Sequence, residues 1–434
     1  MRIGMVTACY KPVINGVTRM ISLYKQHLQA LGHEVTVFTL GEPDPAGDEP
    51  GVVRSPGIPI GDRGYYVGMR YNERAQRLIE QMDIVHCHHL FMSVELAHRY
   101  ARCPIVYTNH TRYDLYTGSV TPLPQPAADA LMRQIWPEFT DYADIVITPS
   151  ESVRQVMLDF GVRRPIQVIE NGVDLRPFRQ PKNPMSKPDL GIPESAILLT
   201  YVGRLSPEKN LEVLLEQVAI AQDIVPDLHL LLVGHGPSEE ILPWKARQLG
   251  IENHVHFTGA VEYEAVAGYM AAADLFVTAS VTEVHPLTVI EAMASGLPVV
   301  AVSSPGLVDT VEPGRTGYLT NKPDGGLAAA IVGLALNPEQ RRRMSAAARE
   351  ASERFDITRT VDKTLALYRR LRKERPDLMR KREHGRASRN RERLQPLLEQ
   401  LARLLPSTEK RGTGPLKWLP LESSVAGEGQ DDEN

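Results

Sequence analysis

Two carboxylates, Glu283 and Glu291, bracket a proline-led stretch in Glu283-Val-His-Pro286-Leu287-Thr288-Val-Ile-Glu291-Ala-Met-Ala-Ser-Gly296. Such a pair can act as acid and base, or it can accept hydrogen bonds from a diol. The apolar runs on either side, Ala273–Ala279 and Leu297–Val302, read as buried parallel strands, so the stretch between them is a strand-to-helix crossing. Pro286 fits the first helical turn, where its missing N–H costs nothing. The free amides of Leu287, Thr288 and Val289 then point back toward the strand ends and form an anion site. The plain alternative is a turn glutamate followed by a solubilising one on a helix face.

Other residues gather around the same chemistry. Gly203-Arg204-Leu-Ser-Pro-Glu-Lys209-Asn210 follows a strand and feeds a helix, so two cations stand near free amides. Arginine offers a fork and lysine a point charge to a diphosphate, although surface ion pairing is the ordinary use of either. Gly234-His-Gly236, after the next strand, allows a ligand to come close or simply turns the chain. In the first half, Asn15-Gly16 precedes a helix and is another candidate phosphate contact. His110 stands just past the carboxyl end of a strand, where open parallel sheets place ligands. His86, His88 and His89 invite a metal, but no nearby cysteine or carboxylate completes a set, so no metal ligand is assigned. The chain lacks the Gly-x-x-x-x-Gly-Lys-Ser/Thr loop of ATP hydrolysis and a serine-centred nucleophile elbow. A ligand with a diphosphate and a polyol, a sugar nucleotide, fits best.

The elements that position these groups alternate strand and helix twice over. A βαβ opening at Arg2–Val6, Val17–Leu31 and Glu34–Thr39 starts one series, and a second starts at Ile197–Val202. The region Gly41–Tyr66 reads as loop with one short strand, and 92–100 as helix. Between the series, Arg176–Ser195 carries five prolines and reads as a linker. The expectation is an α/β fold of two doubly wound, Rossmann-like domains facing a cleft: 1–175 on the acceptor side, a linker at 176–195, a nucleotide-sugar domain at 196–356, a closing helix at 357–375 and an extension at 376–434.

Composition sets bounds. With 434 residues the chain exceeds one ordinary core, and a formal charge of −4 does not suggest a nucleic-acid partner. Cys9, Cys87 and Cys103 have neither disulfide nor zinc spacing and look like reduced buried thiols. No signal-peptide pattern opens the sequence and no apolar run is long enough to cross a bilayer, so a cytoplasmic protein is expected, at most peripheral on the membrane. From Arg369 to Arg393 there are 12 Lys/Arg against 4 Asp/Glu, and the leucine-rich stretch Leu394–Leu405 follows. Such a tail can lie on an anionic membrane surface, or its leucines can pack back on the body.

The stretch Tyr201–Asn210, the spacing Glu283-x7-Glu291, Glu-Ala-Met-Ala-Ser-Gly-Leu-Pro-Val-Val, Asn171-Gly-Val-Asp174 and Asn15-Gly16-Val17 together resemble the family 4 retaining glycosyltransferases of GT-B type. The resemblance runs from Met1 to about Arg372. It implies that Arg204 and Lys209 hold the donor diphosphate, helped by the amides at Leu287 and Thr288 and, from the other domain, by Gly16. It implies that Glu291 takes the ribose hydroxyls, that Glu283 faces the transferred sugar, and that His110 touches its 6-hydroxyl side. Gly203, Gly234 and Pro286 shape the same donor site. No bound cofactor is implied; the donor substrate is a nucleoside-diphosphate sugar, UDP favoured over GDP. Many relatives carry an aromatic residue and glycine where this chain has His285-Pro286, and His285 is a candidate substitute contact to the sugar. The opening Tyr10–Thr18 and the Asn109–Tyr113 segment look most like members that glycosylate diacylglycerol, so a lipid acceptor is expected. A soluble sugar, polyol or polysaccharide acceptor is the alternative, and a non-catalytic nucleotide-sugar-binding protein is the alternative of another class.

Overall fold

A computed structural model describes residues 1–60, 64–115, 124–321 and 325–374; the basic tail therefore lies outside the described residues. The strands are β1 Arg2–Val6, β2 Glu34–Leu40, β3 Val52–Ser55, β4 Ile58–Ile60, β5 Tyr65–Val67, β6 Ile84–Cys87, β7 Ile105–Thr108, β8 Ile145–Thr148 and β9 Ile166–Val168 in the first half. The second half adds β10 Ile197–Val202, β11 Leu228–Val233, β12 Val255–Phe257, β13 Leu275–Thr278, β14 Val299–Val302 and β15 Gly317–Thr320. The α-helices are α1 Gly16–Ala30, α2 Glu73–Glu80, α3 Glu95–Tyr100, α4 Gln125–Thr140, α5 Glu151–Asp159, α6 Arg176–Arg179, α7 Leu211–Gln222, α8 Ile241–Gln248, α9 Tyr263–Ala272, α10 Leu287–Ser295, α11 Gly326–Ala335, α12 Pro338–Ser352 and α13 Ile357–Glu374.

Two parallel sheets result, with orders β3-β2-β1-β6-β7-β8-β9 and β12-β11-β10-β13-β14-β15. Strands buried on both faces read as nearly continuous apolar runs, as in Leu228-His-Leu-Leu-Leu-Val233, where His229 is the one polar residue, and helices cover them. In each sheet the order reverses once, between β1 and β6 and between β10 and β13. Neighbouring strands there send their connections to opposite faces, which leaves a crevice at their carboxyl ends. The two-domain α/β architecture read from the alternation is present.

The local differences have physical causes. The region read as loop with one strand holds three, because after β3 the chain folds into the antiparallel β4–β5 hairpin. The 92–100 segment begins irregularly: Met92 adopts a left-handed φ of 58°, and a regular helix starts only at Glu95. Pro286 caps α10 with an extended ψ of 116°, one residue before the first turn it was expected to occupy.

The domains meet over a shared core. One buried cluster runs from Met20 and Tyr24 of α1 through Phe178 to Ile290 and Met293 of α10 and Tyr368 of α13. Helix α13 returns to the first domain, where Tyr368 Oη lies 2.6 Å from His86 Nδ1 and Tyr24 Oη 3.1 Å from Thr364 Oγ1. At the start of α5, Ser150 Oγ donates to the Val284 carbonyl (3.0 Å) and Ser152 donates through N and Oγ to Asp309. Asn171 donates to the His285 carbonyl at 3.1 Å.

Candidate functional site

The reversal point of the second sheet carries most of the residues in question. The loop after β10 holds Gly203, Arg204 and Lys209, and the loop after β13 leads through Glu283 and Pro286 into α10. They converge: Lys209 Nζ lies 2.6 Å from Glu283 Oε1, with both side chains about one-fifth exposed. Asn210, in the left-handed region at φ 52°, turns the loop into α7 and ties it to the β13 loop by donating to the Ala279 carbonyl. Burial pushes the Glu283 carboxyl up, but the Lys209 ammonium and a hydrogen bond from Ser280 outweigh it and hold its pKa below the ordinary value. Arg204 is exposed and makes no ion pair with a described residue. It is the more available of the two cations.

Gly234 serves the shape of this loop. Its φ is 133°, and a Cβ there would collide with the Gly203 carbonyl, so the β10 and β11 loops press backbone to backbone.

Helix α10 starts without a side-chain cap, because Pro286 has no group to offer. The amides of Leu287, Thr288 and Val289 are thus left for a ligand or water. Across the cleft stands the start of α1: a Cβ on Gly16 would lie 3.9 Å from Leu287 Cδ1. There the expectation needs narrowing. Asn15 Oδ1 accepts from the amides of both Val17 and Thr18 in a capping box, which leaves Gly16 N–H as the amide of that turn open to a phosphate.

Glu291 is 2% exposed, one turn into α10. Its Oε1 accepts from Tyr263 Oη at 2.9 Å, and Arg19 Nε of α1 lies 3.5 Å from the same oxygen. The Arg19 guanidinium also stacks over the Tyr263 ring. Burial raises the Glu291 pKa, with Arg19 and the Tyr263 hydroxyl opposing. Sequence reasoning missed both residues. Arg19 had left a signal: a cation in the first turn of a helix is unfavourable to the helix dipole, so its presence there implies another partner. Tyr263 left none.

His110 lies just past β7, as its position implied, with Nε2 3.1 Å from His88 Nδ1 in a stacked arrangement. Burial, reinforced by His89 and His86, lowers its pKa to about 3, so it is neutral at physiological pH. His86 is engaged by Tyr368 and Thr108 Oγ1. His285 is buried, and among the described residues neither ring nitrogen has a hydrogen-bond partner. Its ring packs edge-on against Phe355 (centroids 5.0 Å apart), and its carbonyl accepts from Asn171 of the first domain. Cys9, Cys87 and Cys103 are buried free thiols. Among the described residues no group of three or more His, Cys, Asp or Glu side chains is arranged to hold a metal ion, and no helix is long and apolar enough to cross a membrane.

A cleft between two Rossmann-like sheets, with cations, bare helix amides and a buried carboxylate on one wall, defines a nucleotide-sugar enzyme of GT-B architecture. Residues 14–176 match the Glycosyltransferase Family 4 family and residues 183–351 the Glycosyl transferases group 1 family. The α-monoglucosyldiacylglycerol synthase of Acholeplasma laidlawii is 30% identical over 358 residues, 78% of this chain and 89% of that protein. The synthase of the same name from Streptococcus pneumoniae (strain ATCC BAA-255 / R6) is 31% identical over 336 residues, 74% of this chain and 75% of that one. In fold, the Anabaena HepE protein, crystallised with UDP and glucose, matches at a TM-score of 0.68 and 22% identity over 85% of this chain and 98% of its own. The chain belongs to glycosyltransferase family 4 and is a glycosyltransferase.

Proposed function

We propose that the chain transfers a hexose from a UDP-sugar, of the UDP-glucose type, to a hydroxyl of a membrane lipid such as diacylglycerol, with retention of anomeric configuration. The observation that carries the donor side is the meeting of Lys209 and Glu283 at the reversal point of the second sheet, beside the uncapped start of α10. Arg204, Lys209 and the amides of Leu287 and Thr288 stand where negative charge develops on a departing diphosphate. Preorganised positive charge at such a place is the strongest single lever on a barrier. Glu291 accepts the ribose hydroxyls, Gly16 N–H reaches the phosphate from the other wall, and neutral His110 offers a hydrogen bond on the sugar side.

The sugar–phosphate bond breaks as the acceptor oxygen approaches the same face of an oxocarbenium-like anomeric carbon. The acceptor's proton passes to the leaving phosphate oxygen, so no protein base is required. Glu283 and Glu291 then have separate binding roles, and the two-carboxylate arrangement of glycosidases does not apply. The Lys209–Glu283 ion pair opens when the diphosphate takes Lys209, which frees Glu283 for the sugar hydroxyls.

The lipid acceptor is supported by the two diacylglycerol-acting relatives. Work on a membrane face is supported by the 12 Lys/Arg between Arg369 and Arg393. The test screens UDP- and GDP-sugars with the full chain, reading nucleoside-diphosphate release with and without anionic vesicles containing diacylglycerol. UDP release that depends on the vesicles, with the protein sedimenting on them, is expected. Release driven only by soluble acceptors would overturn the lipid reading.

A further inference from the structure

The donor carboxylate is completed by the opposite domain. Arg19 belongs to α1, one turn beyond Gly16, yet its guanidinium reaches across the cleft to Glu291 and Tyr263. Its Nε is buried without a hydrogen-bond partner, since 3.5 Å from the carboxylate is a charge contact rather than a bond. A buried donor left unsatisfied is costly, and it marks a place where a ligand's acceptor fits. The other charged groups around this spot are engaged elsewhere. On α6, which packs against α9 and α10, Arg176 pairs with Asp174 and Arg179 with Glu353. Arg349 of α12 donates to the Ser295 carbonyl at the end of α10. Tyr263 Oη and Arg19 are thus the groups that face the Glu291 carboxylate.

We propose that Arg19 is a positioning residue for the donor nucleoside, holding Glu291 as a charged, oriented acceptor for the ribose diol from the acceptor-side domain. The inference rests on the donor-site reading above and deepens it. A diol donates two hydrogen bonds, which an ionised carboxylate accepts in full and a protonated one does not. Burial alone drives Glu291 toward the neutral acid, and the Tyr263 hydroxyl opposes this with a single neutral donor. The full charge that opposes it comes from Arg19, and it is present only when the two walls of the cleft are together. Donor affinity is thereby coupled to domain closure. The ribose hydroxyls then lie alongside the carboxylate–guanidinium pair, donating to the carboxylate, and a ribose oxygen accepts from Arg19 Nε.

The experiment titrates UDP calorimetrically into the full-length wild type, Arg19→Gln and Arg19→Lys, from about pH 8 to about pH 5.5, with 2′-deoxy-UDP as the control ligand. The expected loss for Arg19→Gln is at least about tenfold near pH 6 and smaller near pH 8, because affinity falls as pH drops through a carboxyl pKa raised further by removal of the cation. Arg19→Lys stays within about threefold of wild type across the range, since charge rather than the fork is what is required. For 2′-deoxy-UDP the glutamine variant and the wild type differ much less. Equal losses for both ligands would make Arg19 a strut or a phosphate contact and overturn the proposal, as would an unchanged affinity of Arg19→Gln for UDP. If Arg19→Gln does not fold, a lysine variant that loses affinity about tenfold overturns the proposal and one that keeps its affinity supports it. A wild type that binds no nucleoside diphosphate overturns the donor reading itself, and the role of Arg19 with it.

Discussion

At the residue scale the donor site is a balance between burial and charge. Glu283 keeps its charge through Lys209 at 2.6 Å, whereas Glu291, buried at 2% exposure, is pushed toward its neutral form. On the proposed donor-site reading, removing Lys209 takes away a leaving-group contact, and it leaves Glu283 poorly compensated. We expect Lys209→Ala to lower kcat by more than about tenfold at saturating donor, in the range seen when one preorganised charge-stabilising group is lost. Steady-state release of nucleoside diphosphate measures it, and an unchanged kcat would remove Lys209 from the site. Much of this was legible beforehand, because residues in loops after strands of a parallel sheet must gather at its carboxyl edge. Tyr263 was not legible: it opens a helix that reads as ordinary packing, and its hydroxyl acquires meaning only when α9 is laid beside α10. The burial of His285 was hidden for the same reason, since its ring packs against Phe355, seventy residues on, and its carbonyl takes a hydrogen bond from Asn171 of the other domain.

At the element scale, the loop that delivers Gly16 is pinned by a small ion cluster. Glu49 accepts from Tyr10 Oη at 2.9 Å, Lys11 Nζ at 2.8 Å and Lys25 Nζ at 2.7 Å, tying the β1–α1 loop and α1 to the chain entering β3. Burial alone would raise the Glu49 carboxyl, but the hydrogen bonds from Lys11, Lys25 and Tyr10 lower its pKa to about 2. A carboxyl depressed on folding adds stability above its unfolded pKa and loses it as pH falls through the folded one. Glu49→Gln should therefore cost about 1–2 kcal/mol at neutral pH, the shift being discounted for the third of the side chain that water screens. The gap between wild type and variant should close as pH falls from about 4.5 toward about 2. Urea unfolding across that window reads it, and a gap that persists at the acid end would contradict the assignment. Strands such as Ile197–Val202 and Leu228–Val233 were readable because both faces are buried and each run is apolar except for a single residue, Thr200 and His229. The β4–β5 hairpin was not, because its three-residue strands are too short for alternation to register.

At the scale of the whole molecule, the two domains share a core, and contacts such as Ser150–Val284 and Tyr368–His86 cross between them. The proposed donor site is therefore split between them: α1 brings Gly16 and Arg19 to the cleft, and the loops of the second sheet bring Lys209, Glu283 and the start of α10. On the proposed reading the nucleotide lies between the two walls, chiefly against the second domain, and the acceptor enters beside the first. In the proposed mechanism the leaving diphosphate takes the acceptor's proton on one face of the sugar, so the configuration of the new bond reports on the whole arrangement at once. The most direct test incubates the full-length chain with UDP-glucose and diacylglycerol vesicles, isolates the glycolipid, and assigns its anomeric centre by proton NMR. An α-glucosyl lipid formed in step with UDP release is the predicted result. A β-glucosyl lipid, or UDP release with free glucose as the only sugar product, would contradict the account.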